Sequence, residues 1–180
     1  MHQTPFVGLK TEKSQKWDPQ LFKTFFFGYW PVAVTGLWMR VLQDSALSHV
    51  PREQRAPIFY DLDLMTDLDV AFFEAYVEGG LLLAIVRDDV YGARELLLKG
   101  EQFRKTRLSS YPAVFFHRYW QQSWAVPFHL AYIEMFELDN IPAASVHFEV
   151  ASRIAGAPPY LQSLSQKLKT TQGQYDVGLR

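Results

Sequence analysis

The five histidines are the first residues to test for chemistry, because imidazole binds zinc and transfers protons near neutral pH. They are His2, His49, His117, His129 and His147. None belongs to an HExxH motif and no two stand four residues apart, so helical spacing does not assemble a zinc site. Only convergence of His117, His129 and His147 through folding would build one. We interpret these side chains as partly buried, hydrogen-bonded histidines and predict no metal and no cofactor.

Four aspartates close to one another raise the question of a calcium site: Asp61, Asp63, Asp67 and Asp69. An EF-hand loop needs oxygen ligands at alternating positions, glycine at the sixth position and glutamate at the twelfth. Leucine and methionine interrupt the acidic residues here, and the run contains no glycine. We therefore interpret it as the solvated face of a helix, with Asp69 as a cap.

Sequence motifs of nucleophilic and phosphate chemistry are also missing. The chain contains no GxSxG, GxxxxGK[ST] or GxGxxG pattern, which are the patterns of serine hydrolases and of phosphate-binding loops. It has no cysteine, which excludes a thiol nucleophile, a disulfide framework and a cysteine-ligated metal. We predict that the protein is not an enzyme. Catalysis by histidine and aspartate side chains is the third hypothesis, after two non-catalytic ones given below.

The composition predicts a folded domain with a substantial core. Apolar residues make up 48% of the 180 residues and aromatic residues 16%, which is far above the content of disordered chains. The formal net charge is −1, whereas nucleic-acid-binding domains usually carry a strong basic excess. We therefore expect no nucleic-acid partner.

Proline, aspartate and glycine positions divide the chain into helices. No segment alternates with period two, and no Asn-Gly or Asp-Gly hairpin signal occurs. The start and stop signals predict an all-α fold of about seven to nine helices, placed near 19–28, 31–48, 57–68, 69–83, 90–103, 114–122, 124–135, 141–154 and 160–170. We expect a flexible segment over 1–17, one domain over 18–172 and a frayed tail over 173–180.

A pattern of small and large residues occurs twice. Ala93, Leu97 and Gly100 recur 51 residues later as Ala144, Phe148 and Ala151. Small residues allow two helices of a pair to approach closely, and the large one fills the groove between pairs. Gly80 is expected to permit the same close packing inside a helix.

This small–large–small pattern resembles the second helix of the tetratricopeptide repeat. The family's Leu-Asp-Pro end is approximated by Leu68-Asp69-Val70, where Val70 replaces proline, and by Gly156-Ala157-Pro158. The usual period is about 34 residues, so the resemblance implies an insertion, placed at about 101–123. It also implies a short α-solenoid of stacked antiparallel helix pairs.

A second resemblance covers most of the chain. It rests on Phe27-Gly28-Tyr29, Leu37-Trp38, Met65-Thr66-Asp67-Leu68-Asp69, Glu74-Ala75-Tyr76, Gly79-Gly80-Leu81 and Gly156-Ala157-Pro158. These segments are similar to a family of bacterial tetratricopeptide-like proteins, many of them envelope-associated and most without an assigned activity. The resemblance implies a location at the cell envelope, periplasmic or membrane-associated, rather than in the cytoplasm.

The aromatic segment after the fifth helix is the predicted partner site, because aromatic residues and arginine are enriched at interface centres. Its residues are Phe115, Phe116, Arg118, Tyr119 and Trp120, with Arg104 at the rim. The leading hypothesis is a non-enzymatic scaffold or adaptor that binds protein partners within a multi-subunit assembly.

The first two predicted helices are apolar, and we expect them to pack on a sister chain or on another subunit. The alternative hypothesis is a structural subunit held at a membrane through residues 24–39. This stretch carries no formal charge but is shorter than the roughly 20 residues of a spanning helix.

Overall fold

The computed structural model describes residues 18–43 and 54–170, and within these ranges every regular element is a helix. The predicted all-α class is therefore confirmed. The nine α-helices are α1 (Pro19–Phe25), α2 (Trp30–Gln43), α3 (Pro57–Leu68), α4 (Phe73–Leu81), α5 (Val90–Thr106), α6 (Ala113–Tyr119), α7 (Ala125–Phe136), α8 (Ile141–Ser152) and α9 (Tyr160–Leu168). The predicted segment 1–17, the tail 173–180 and the predicted extension of the second helix to 48 lie outside the described residues.

Local signals in the sequence explain where most of these helices begin. Asp18, Asp89 and Asn140 are N-caps whose side chains accept hydrogen bonds from the backbone N–H groups of Gln20, Gly92 and Ala143. A proline occupies the first turn of α1, α3 and α8, where its missing N–H costs nothing. Two short turns complete the helical structure: α4 continues as a π-helical turn, Leu82–Val86, and α5 is followed by a 3₁₀ turn, Leu108–Ser110.

The prediction that Asp69 caps the fourth helix is wrong. Asp69 follows the end of α3, and its carboxylate accepts the backbone N–H of Ala71 at 3.0 Å. This bond closes a local turn, so α4 begins later, at Phe73, with Phe72 at the cap position and no side-chain cap.

The acidic face of α3 is packed against other helices rather than solvated. Asp61 is buried and its carboxylate lies 3.3 Å from Nε of Arg40 on α2. On α5, the Lys99 ammonium lies 2.8 Å from Asp63 and 2.6 Å from Asp67. The aspartates thus join α3 to the helices on either side of it.

Consecutive helices build two connected cores. The larger core is formed by α2 to α5 and by one side of α7, and the smaller core by the other side of α7 with α8 and α9. Four residues connect α7 to α8 and three connect the π-helical turn to α5. The two members of each pair contact each other, so each pair is a helical hairpin.

The residues of the repeated pattern lie in these hairpins. Ala93, Leu97 and Gly100 of α5 and Ala144, Phe148 and Ala151 of α8 are all buried. A Cβ atom added to Gly100 would lie 2.7 Å from Cγ of Tyr76, and one added to Gly80 would lie 3.0 Å from Cγ of Leu97. The glycines therefore set how closely α4 and α5 approach.

The buried carboxylate of Asp89 joins the starts of α3 and α5. One oxygen accepts the N–H of Gly92 at 2.8 Å and the other accepts the N–H of Ala56, which precedes α3, at 2.7 Å. The guanidinium of Arg55 lies 3.7 Å from the same carboxylate. Asp89 is thus a helix cap and a tertiary contact at once.

Replacement of Asp89 tests this junction. Asp89→Ala leaves two buried N–H donors without an acceptor, so we expect a loss of about 3 kcal/mol of unfolding free energy. Asp89→Asn should cost nearly as much, because its amide group turns a donor toward one of those N–H groups. The exposed cap Asp18 is the control, and Asp18→Ala should cost about 1 kcal/mol or less. Chemical denaturation monitored by circular dichroism measures all three; equal losses for Asp89→Ala and Asp18→Ala would contradict the junction.

Candidate protein-binding surface

Helix α6 is attached to the protein core by the residue that follows it. Trp120 has 0% of its side chain exposed, and its indole Nε1–H donates to the carbonyl of Ala71 at 2.8 Å. Its ring centroid lies 5.1 Å from those of Phe73 and Phe103. A large aromatic side chain with its polar atom satisfied makes a strong anchor. The packing of Trp120 therefore holds the C-terminal end of α6 on the core.

This geometry corrects one member of the predicted partner site. Trp120 is enclosed by α4 and α5 and has no surface to offer to a partner. The other predicted aromatic residues remain at the surface to different degrees, since Phe115 and Phe116 are half-buried and Tyr119 is 46% exposed. Residues 101–106 of the predicted insertion continue α5.

A line of aromatic rings leads from the core to solvent. The ring of Phe103 lies 5.8 Å from Tyr111, Tyr111 lies 4.6 Å from Phe115, and Phe115 lies 5.1 Å from Tyr119. The Arg118 guanidinium lies 5.4 Å from the centre of the Tyr119 ring, a cation–π contact. We call Val114, Phe115, Phe116, Arg118 and Tyr119 the α6 edge. Its aromatic side chains are held by neighbours, so little side-chain entropy is lost when a partner binds.

Arg104 contributes less to this surface than the sequence predicted. Its guanidinium donates to both carboxylate oxygens of Glu101, at 2.7 and 2.8 Å, and Lys105 lies 3.1 Å from the same carboxylate. Burial alone would raise the pKa of Glu101, but these two cations outweigh it and the pKa lies below its ordinary value. Arg104 therefore serves the fold by neutralising a buried carboxylate.

A charge asymmetry around the α6 edge was missed by the sequence reasoning. No aspartate or glutamate occurs in residues 102–133, although the whole chain has 19 acidic residues. Lys105, Arg107 and Arg118 within this stretch are exposed. The signal that could have found it is the length of the acid-free run. The α6 edge is therefore an aromatic surface on a stretch of chain that carries cations and no carboxylate of its own.

A shallow groove between α3 and α5 has a volume of about 250 Å³ and contains Lys99. The two ion pairs of this lysine with Asp63 and Asp67 hold its charge across the groove. The two ion pairs join α3 to α5, and the Lys99 ammonium is held between both carboxylates.

The structure does not bring the histidines together as metal ligands. Within residues 18–43 and 54–170, no group of three histidine, cysteine or acidic side chains is placed to hold a metal ion. His117 is exposed on α6, whereas His129 and His147 are half-buried on α7 and α8. His2 and His49 lie outside the described residues.

Comparison with known protein families, curated proteins and solved structures finds no match to this chain. Among the described residues, no helix by itself has the length and apolar character needed to cross a membrane. The consecutive helices α1 and α2, bent by 115° relative to each other, meet that requirement only when taken together.

Substitution of Trp120 tests the anchoring of α6. Trp120→Ala removes the aromatic packing and should cost about 3–5 kcal/mol of unfolding free energy. Trp120→Phe keeps much of the packing but leaves the Ala71 carbonyl without its donor, and should cost about 1–3 kcal/mol. The neighbouring exposed residue is the control, with a cost below about 1 kcal/mol expected for Tyr119→Ala. Thermal and urea unfolding measure these values, and a neutral Trp120→Ala would refute the anchor.

The half-buried histidines His129 and His147 predict a loss of stability in mild acid. Burial lowers the pKa of His129, and burial also lowers that of His147, where Glu134 and Glu101 act in the opposite direction. Below about pH 6.5 the unfolded chain binds protons that the folded protein resists, so the unfolding free energy falls as pH falls.

We expect His129→Gln to flatten this dependence, and exposed His117→Gln to leave it unchanged. Urea unfolding between pH 5 and 8 is the measurement, and a pH profile of the unfolding free energy that is equally steep in both variants would rule out His129 as its source.

Proposed function

We propose that this protein is a non-enzymatic scaffold that binds another protein within a larger bacterial envelope assembly. The observation that carries the proposal is the α6 edge. Arginine and tyrosine are the residue types most enriched at binding hot spots, and here Arg118 stacks on Tyr119 above a buried tryptophan anchor.

The charge of this region favours an acidic protein segment as the partner. The acid-free stretch offers exposed cations at Arg107 and Arg118, and the exposed side chain of Val114 adds apolar area. A segment with carboxylates beside an apolar residue would match both features. Few cations are involved and the net charge of the chain is −1, which argues for a protein rather than a nucleic acid.

The finer architecture that we propose is a short tetratricopeptide-like stack. Two features support it: the hairpins α4–α5 and α7–α8 pack side by side through α5 and α7, and both second helices bury the small–large–small residues. Stacked helical hairpins present an extended surface suited to a peptide segment.

A second candidate function is a membrane-associated structural subunit that uses residues 24–39. The observation in its favour is that α1 and α2 together have the length and apolar character of a broken span. Detergent dependence of the isolated chain would support this candidate over the first.

The α6 edge can be tested with a matched pair of variants. We expect Arg118→Ala combined with Tyr119→Ala to lose at least tenfold in partner recovery, because both residues of the stacked pair are removed. Tyr91 lies in the first turn of α5 and is exposed to a similar degree, 49% against 46% for Tyr119. The Tyr91→Ala variant should therefore recover as much partner as the unchanged protein. The measurement is affinity purification from cross-linked cells of the source organism, with quantitative mass spectrometry.

Recovery should also fall as salt is raised, because the surface cations are screened. Identical partner sets for both variants would refute the α6 edge as the binding site. Turnover of a substrate in broad hydrolase screens would contradict the non-enzymatic role itself.

A further inference from the structure

The outer face of α1 and α2 is apolar, and none of the residues described in 18–43 and 54–170 covers it. Seven large apolar side chains there are about half or more exposed: Leu21, Phe25, Phe27, Tyr29, Val32, Met39 and Leu42. The opposite face of α2 buries Ala33, Val34 and Val41, and Trp38 packs edge-to-face on Phe72 at 5.4 Å. Helix α2 is thus seated on the core by one face, while its other face resembles an interface without its partner.

Gly36 lies in the middle of the uncovered face of α2. Glycine in a helix interior costs about 1 kcal/mol relative to alanine. At Gly79, Gly80 and Gly100 a neighbouring side chain explains the glycine, because an added Cβ would lie within 3.0 Å of it. At Gly36 an added Cβ would lie within 4 Å of no atom in the described part of the chain. A second helix that packs closely against α2 at this point would explain why a glycine stands there.

The charges on α1 and α2 fit a second copy in an antiparallel crossing. Residues 19–43 contain Lys23 and Arg40 but no acidic residue, so two copies in parallel would bring the same cations together. Gly36 is at the centre of α2, and Arg40 is four residues away. In an antiparallel crossing at Gly36 the two Arg40 residues are eight residues apart, about 12 Å along the axis, beyond the screening length of about 8 Å. Each Arg40 also faces Asp61 of its own chain at 3.3 Å.

The exposed area is of the size that a stable dimer uses. Aromatic side chains bury about 150–250 Å² each, so Phe25, Phe27 and Tyr29, with the four aliphatic side chains of this face, approach the ~800 Å² that each partner contributes to a standard interface. Little charge has to be desolvated, because the exposed face is almost uncharged.

We propose that α2 pairs with α2 of a second copy of this chain, antiparallel and crossing at Gly36, so that Val32 of one copy packs beside the aliphatic part of Arg40 of the other. The dimer is isologous, with its two-fold axis at the crossing. This proposal goes beyond the scaffold function, and it requires no other protein.

A matched pair of valine substitutions tests the dimer. Val32 and Val146 are both helical and similarly exposed, at 63% and 56%, but Val146 lies on α8. We expect the purified protein to have twice the mass of the chain by light scattering. Val32→Lys should weaken association at least tenfold, because it places a second cation beside Arg40 of the other copy, and Val146→Lys should leave it unchanged. Because the purified chain is measured alone, failure here would not touch the partner site at the α6 edge.

Two results would overturn the proposal. A monomer at the highest soluble concentration excludes the dimer, and binding of that monomer to anionic phospholipid vesicles would assign the face to a membrane. A dimer that survives Val32→Lys places the interface elsewhere.

Cysteine cross-linking keeps the test decisive if Val32→Lys does not fold. The chain has no cysteine, so a single introduced thiol reports one position. Thr35 is exposed beside Gly36. The Thr35→Cys variant should therefore form a covalent dimer with a short bismaleimide, whereas the Val146→Cys variant should not. Circular dichroism verifies the fold of each variant, and equal cross-linking at both sites would refute the α2 crossing.

Discussion

The junction between α3 and the α4–α5 hairpin depends on one buried carboxylate. Asp89 is 3% exposed and accepts N–H groups from two separate helix starts, at 2.7 and 2.8 Å. A buried carboxylate is costly unless such donors satisfy it, so α3 and the α4–α5 hairpin have to meet at this point. The contact is so close that a Cβ at Gly92 would lie 2.5 Å from the carboxylate. Glycine at that position is thus required by the junction rather than by backbone conformation.

Features set by neighbouring residues could be predicted from the sequence, and features set by distant residues could not. Proline at position 57 and the polar residue after Leu68 predict α3 with the bounds that it has. Asp89 is recognisable as a cap, but its second bond reaches Ala56, 33 residues away. Tyr119 and Trp120 are adjacent aromatic residues with the same sequence signal. Only the carbonyl of Ala71, 49 residues away, decides that the tryptophan is the buried one.

The charged residues mainly join neighbouring helices. Arg94 of α5 donates to Glu134 of α7 at 2.6 Å, and the amide of Asn140 donates to the other oxygen of Glu134 at 2.9 Å. Lys169 reaches Glu149 on α8 at 2.7 Å. With Lys99 between α3 and α5, such ion pairs connect helices along the whole described chain. A carboxylate held in this way is committed to the packing of the helices.

The two uncovered surfaces rely on different physical forces. The α6 edge combines aromatic area with cations, so binding there is sensitive to salt. The outer face of α1 and α2 is almost uncharged, so association there follows apolar burial and is insensitive to salt. Because the two surfaces share no residue, a dimer through α2 leaves both α6 edges free. Two linked sites would bind a repetitive or dimeric partner with a raised effective concentration, which gives self-association a direct use in a scaffold.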